Sequence, residues 1–159
     1  MKDIDKAAYI LGVKIYKDRS KRLINLSQSA YIDKVLYRFS MENSKKGNIP
    51  MASSMTFSWY KYPTTTEDKR FMEKVPYASA IGSIMYALLF TSPNLAYSLS
   101  MISKYQENHG KDYWVAIKNI LKYLRRTKDE FLICGGMEQL TIIGYTDVSF
   151  YTDRDDFRL

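Results

Sequence analysis

The residues best equipped for chemistry form two groups in the C-terminal third of the chain. Gly144-Tyr145-Thr146-Asp147 reads as the end of a strand that delivers a carboxylate, and Asp153, Asp155 and Asp156 follow it. Carboxylates converging from several elements hold the paired metal ions of phosphoryl chemistry about 4 Å apart. One strand-end aspartate and a short acidic run do not supply that convergence. The run also lacks the glycine and the closing glutamate of a calcium loop, so a solvated acidic loop is the competing reading. The second group is Lys118, Lys122, Arg125 and Arg126, at offsets of 4, 7 and 8 along one helix face. Cations so spaced track a phosphate backbone, and Tyr105, Tyr113 and Tyr123 are candidates for stacking or sugar contacts. Here the competing reading is a helix kept soluble by its charge.

The elements that must position these groups follow from the hydrophobic pattern. The chain has 159 residues, 46% of them hydrophobic, which suits one ordinary domain and excludes a disordered tail. No apolar run nears the roughly 20 residues of a membrane span, and the charged N-terminus lacks a signal-peptide core, so an intracellular protein, cytoplasmic or nuclear, is expected. A single cysteine, Cys134, excludes an internal disulfide, and a single histidine, His109, excludes an ordinary zinc site. Both read as packing or loop residues. Charge is unevenly placed: residues 104–128 carry a net +5 and residues 129–159 a net −5, within a total of +7. A basic helix beside an acidic strand implies a phosphate-facing surface next to a candidate metal-binding one.

Tyr9–Tyr16 alternates as a strand, with Tyr9, Leu11, Val13 and Ile15 on one face. Lys17–Arg22 is a polar turn and Leu23–Leu26 returns, giving a hairpin in which Gly12 marks a bulge or a close approach of another backbone or of a nucleic-acid strand. Ser27 caps a helix whose inward face is Ile32, Val35, Leu36 and Phe39. Residues 40–66 form a long loop. Glu67–Val75 is a short helix, and Tyr77–Phe90, apolar nearly all round, is expected to be the central buried helix. Ser92 and Pro93 start the next helix, with Leu95, Leu99 and Ile102 inward. A strongly amphipathic helix follows with Trp114, Ile117, Leu121 and Leu124 inward. Phe131–Cys134, a Gly135-Gly136 turn region and Leu140–Asp147 close the chain as strands. There is no Gly-rich phosphate loop, nucleophile elbow or His-rich motif, and the residues themselves do not argue for catalysis.

Taken in order, "YILGVKI", "LSQSAYIDKVLYRF", "PYASAIGSIMYALLFTSPNLAYSLS", "WVAIKNILKYLRRTKDEFLICGG" and "GYTDVSF" resemble consecutive parts of the Pol polyprotein of copia-type LTR retrotransposons from plants. The resemblance covers nearly the whole chain. It implies an α+β fold in three parts: a terminal palm, primer-grip-like hairpin over 1–26, a thumb- and connection-like helical bundle over 27–128, and, over 129–159, a connecting strand with the first strands of a truncated RNase H-like sheet. By the same resemblance Leu11 and Gly12 match the primer grip. Asp147 matches the first metal-binding carboxylate of RNase H, where the intact parent family uses Mg2+. The polymerase's catalytic aspartates would lie upstream of Met1, and the remaining RNase H carboxylates beyond Leu159. Thr91-Ser92-Pro93-Asn94, Tyr113, Val148 and Phe157-Arg158 depart from the family's usual residues.

The expectation is a remnant of a reverse transcriptase and RNase H polyprotein that is no enzyme alone and needs no cofactor. It would bind RNA–DNA hybrid or another nucleic acid, without membrane or small-molecule substrate. The alternative is a host-retained module that binds a protein partner.

Overall fold

The computed structural model describes residues 8–52, 55, 57–58, 63–107, 109–135 and 144. Among them, four strands form one antiparallel sheet in the order β1-β2-β3-β4: β1 Tyr9–Ile10, β2 Val13–Asp18, β3 Leu23–Ser27 and β4 Leu132–Gly135. Five helices, α1 Ser29–Arg38, α2 Thr66–Glu73, α3 Tyr77–Phe90, α4 Ala96–Ser103 and α5 Lys111–Thr127, complete an α+β fold. No described helix is long and apolar enough to cross a membrane.

The alternating run Tyr9–Tyr16 is two strands, not one. Ile10 pairs with Val13, so Leu11 and Gly12 are the centre of a two-residue turn, with φ of 50° and 77°. Positive φ at both positions is the hairpin turn whose twist matches that of its flanking strands. The turn reverses the parity, placing Val13 opposite Ile10, and an alternation read straight through it cannot show that. A Cβ at Gly12 would meet none of the described chain within 4 Å, so the glycine serves the turn and not a bulge or an approach of this chain's own backbone. The next turn is the polar one expected: the Asp18 carboxylate accepts from Ser20 N at 3.0 Å, Lys21 N at 3.2 Å and Ser20 Oγ at 2.6 Å.

β3 runs directly into α1. Ser27 ends the strand and Gln28 is the capping position, Ser27 Oγ accepting from Ser29 N at 3.4 Å. Ile32, Val35 and Leu36 face inward as their spacing requires. The helix ends with Ser40 at φ 53°, Ser40 N donating to Tyr37 O at 3.0 Å and Met41 N to Leu36 O at 2.8 Å. That pair of bonds is a Schellman closure, and it turns Met41 into the core. α2 starts at Thr66, with Thr65 Oγ1 accepting from Asp68 N at 3.1 Å. Ser92 precedes a 3-10 turn, Pro93–Leu95, without a side-chain capping bond, and Leu95, Leu99 and Ile102 are buried.

α3 is central but not buried all round, and α5 shares the core with it, supplying the larger buried side chains. Tyr113, Ala116, Ile117, Ile120, Leu121 and Leu124 are each at most 1% exposed. α3 also buries six residues, Tyr77, Ala80, Ile81, Ser83, Ile84 and Ala87, of which three are large, and it turns Met85 (45% exposed) and Leu89 (68%) outward. Of its small residues Ser83 is buried, its carbonyl accepting from Tyr31 Oη at 3.0 Å, while Ala78, Ser79 and Gly82 lie on the exposed side. Trp114 is only partly buried; Tyr113 takes the inward position instead. Phe57 and Tyr105 lie against the Tyr113 ring at 5.3 and 4.7 Å between centroids.

β4 pairs with β3 (Leu23 with Gly135, Leu26 with Leu132), so this segment extends the hairpin's own sheet. The strand ends at Gly135, whose φ is 106°, and Gly136 and Leu140–Ile143 lie outside the described residues.

Leu11 occupies a left-handed position that asparagine tolerates far better. Leu11→Asn should stabilise the chain by about 1 kcal/mol, read as a higher midpoint in urea unfolding; a lower midpoint would mean that the exposed leucine is held by packing.

Candidate nucleic-acid interface

α5 divides sharply by chemistry. Its buried face is apolar apart from the Tyr113 hydroxyl, and Lys118, Lys122, Arg125 and Arg126 fall outside it, as does the exposed Val115. Burial of one face therefore dictates the direction of the other. Three of the four cations are half-buried and only Arg126 is exposed, because neighbours cover their stems. Lys118 Nζ lies 5.7 Å from the centre of the Trp114 ring, a cation–π contact that keeps the ammonium at the surface.

The loop after α1 explains the rest. Gly47 N donates to Lys122 O at 2.9 Å, and Asn48 Oδ1 accepts from Arg126 Nη1 at 2.5 Å. The loop lies along the face that carries Lys122 and Arg126, which are one turn apart. Only a glycine fits the contact comfortably: a Cβ at position 47 would stand 3.0 Å from Lys122 Cβ and 3.1 Å from Tyr123 N. Lys45 and Lys46, both exposed, are thereby delivered beside α5. Sequence reading passed over these two lysines as part of an aperiodic loop. The available signal was local: two adjacent cations directly before Gly47-Asn48.

Lys46 and Lys45 thus sit one and two residues before the point where the loop is bonded to α5. The aromatic complement of the cations is smaller than expected. Tyr105 and Tyr113 are 1% and 0% exposed and cannot stack on a base. Tyr113 donates to Ser58 O at 2.6 Å and accepts from Ser58 N at 3.2 Å, so its polar end is used inside the fold. Tyr123 is half-buried and accepts a hydrogen bond from Asn94 Nδ2.

Leu11 and Gly12 belong to a different surface. Leu11 is 72% exposed, and its carbonyl accepts from Tyr86 Oη on α3. Tyr86 is braced in turn by Tyr31 and Phe90, at 4.7 and 4.9 Å between ring centres. The turn is thus anchored on α3, while the cations are carried by α5 and its loop. Asp147, Val148, Phe157-Arg158 and the run Asp153–Asp156 lie outside the described residues. Among those that are described, no three His, Cys, Asp or Glu come together as metal ligands. His109 stacks on Tyr77 at 4.1 Å with Nδ1 facing Gln106 O at 2.9 Å, and Cys134 is an exposed thiol on β4.

Gly47→Val should lift the loop from α5, at a cost of about 1–3 kcal/mol if the contact is held. The expected sign is faster hydrogen exchange at the residue 47 amide. Unchanged exchange would mean that the loop does not depend on this contact.

Along 98% of its length (156 residues) the chain is 44% identical to the retrovirus-related Pol polyprotein from transposon TNT 1-94 of Nicotiana tabacum, of which the match covers 12%. It is 30% identical over 160 residues to the Pol polyprotein from transposon RE2 of Arabidopsis thaliana, and 29% identical over 160 residues to that from RE1. Each of those alignments covers 99% of this chain and 10% of the relative. The chain therefore spans about a tenth of the length of these curated relatives. No protein-family model matches it, and no solved structure does.

Proposed function

The chain corresponds to a segment of the Pol polyproteins of copia-type retrotransposons, and from that premise we propose that it contributes a nucleic-acid-binding surface and no catalytic centre of its own. The observation that carries this reading is the joining of Lys45 and Lys46 to the α5 cations through the Gly47–Lys122 contact. Cations drawn from two elements onto one surface suit a phosphate backbone better than a row that merely keeps a helix soluble. In this reading residues 27–128 act as the thumb- and connection-like part of a reverse transcriptase, clamping an RNA–DNA duplex. The Leu11–Gly12 turn serves as its primer-grip-like element. Support for the latter is the exposed leucine kept at positive φ, a local strain of the kind found at functional turns. Asp147 is assigned, by resemblance, as a first RNase H ligand that needs further carboxylates for its Mg2+.

Binding should fall with salt. Replacing Lys118, Lys122, Arg125 and Arg126 by glutamine should reduce the slope of log K against log salt by about 2–3 units on an RNA–DNA hybrid. Parent and variant with equal slopes would remove the surface from the proposal.

A second reading, a protein-contact module, is favoured by the apolar residues Ile10, Leu11, Met85 and Leu89, all exposed on the first hairpin and α3. Retention of a partner in nuclease and at 1 M salt, lost in Leu11→Asp with Leu89→Asp, is what this reading predicts; loss under nuclease alone favours the first. At about 1 M salt the screening length is about 3 Å, so phosphate contacts do not survive while apolar ones do.

A further inference from the structure

A cleft of about 220 Å³ opens where the start of α1, the turn after α3, the end of α5 and the approach to β4 meet. Its walls include Gln28, Thr91, Thr127, Lys128, Glu130 and Phe131. Gln28 is 1% exposed, and its backbone carbonyl is used by Ile32 N at 2.9 Å. Its side-chain Oε1 accepts from Thr91 Oγ1 at 2.7 Å, but its Nε2, also buried, has no partner. A buried amide with both donors unused is costly, and natural folds keep one where something fills it.

The chemistry of the walls narrows what that is. Lys128 is spent on Asp33 at 2.7 Å, and Glu130 adds a negative charge, so the cleft does not select an anion. It selects a neutral group offering an acceptor to Gln28 Nε2, with apolar area to rest on Phe131. The volume lies below the roughly 300–1,000 Å³ of sites that enclose a whole drug-sized ligand, so a single ring system enters and the rest stays outside. Thr127 lines the cleft, and on α5 Lys122 and Arg126 occupy the helical row next to that of Tyr123 and Thr127.

We infer that this cleft takes one unstacked nucleobase of a nucleic-acid strand whose phosphates run along α5, with Gln28 Nε2 donating to a ring carbonyl or ring nitrogen. The choice of ligand rests on the nucleic-acid reading above; the open amide and the cleft do not.

The test uses the whole 159-residue chain, 15N-labelled. It is titrated with uridine, cytidine, adenosine and guanosine, which carry no phosphate. The expected result is a shift of the Gln28 side-chain amide resonances with at least one nucleoside, and no nucleoside binding by Gln28→Glu at an unchanged melting temperature. If that variant melts early, Thr91→Val, which releases Gln28 Oε1, should weaken the same nucleoside's binding. Resonances unmoved by all four nucleosides would mean that water fills the cleft, and would overturn the inference. A second measurement compares single-stranded DNA with an abasic chain of equal length and charge, and the DNA is expected to bind about tenfold tighter. Equal affinity for both overturns the base cleft and leaves the cationic surface standing. Binding of neither overturns the surface, and the nucleoside titration then decides the cleft alone.

Discussion

One face of α5 organises this protein. Tyr113, Ala116, Ile117, Ile120, Leu121 and Leu124 are removed from water almost completely, and α1, α3 and α4 all lay their apolar residues into the same cluster. Burial of that order stabilises each large side chain by about 1.5–3 kcal/mol, which no other element of the chain matches in total. The long loop is recruited by the same face: Phe57 stacks on Tyr113, and Ser58 takes up the Tyr113 hydroxyl through both its amide and its carbonyl. The buried hydroxyl leaves no polar group of that ring unpaired, which is why a tyrosine is tolerated at the centre of the core.

Orienting one face of a helix orients the other. Because the apolar side of α5 points inward, its cations must emerge together, and the Gly47–Lys122 contact brings two more beside them. The cleft beneath Gln28 follows from the same convergence. The ends of α5 and α3 and the starts of α1 and β4 meet there without closing, and the polar groups at those ends line what is left. The sheet is peripheral to this arrangement. Val13 is the strand residue it contributes to the buried hydrophobics, and its turn is held to α3 by the bond from Tyr86 to the Leu11 carbonyl.

Most elements were legible in the residues because local signals agreed. α1 was readable from periodicity, α3 from its unbroken apolar run after Pro76, the polar β2–β3 turn from its composition, and the kinship to Pol polyproteins from motifs in order. The misreadings each have a physical cause. The Leu11–Gly12 turn keeps the apolar alternation while reversing its parity, so a hairpin looks like one strand. α3 is more apolar than α5, yet it leaves Met85 and Leu89 exposed, because apolarity all round does not fix how much of a helix is covered. Trp114 and Tyr113 are adjacent on the helix, about 100° apart, and size alone favours the wider ring as the inward one, whereas Ser58 satisfies the tyrosine's hydroxyl inside the core.

The sequence by itself determined the helix periods, the basic face of α5, the paucity of metal-binding side chains other than carboxylates, and the family. Those properties reside in neighbours along the chain, within reach of a single turn or strand. Only the tertiary structure decided that Tyr105 and Tyr113 are core residues, that Lys45 and Lys46 join Lys122 and Arg126, and that Gln28 faces a cleft with its amide unsatisfied. Each of these depends on residues far apart in sequence: Gly47 against Lys122, Ser58 against Tyr113, Gln28 against Thr91. Contacts across such separations arise only when the core closes, and no pattern confined to one segment encodes them.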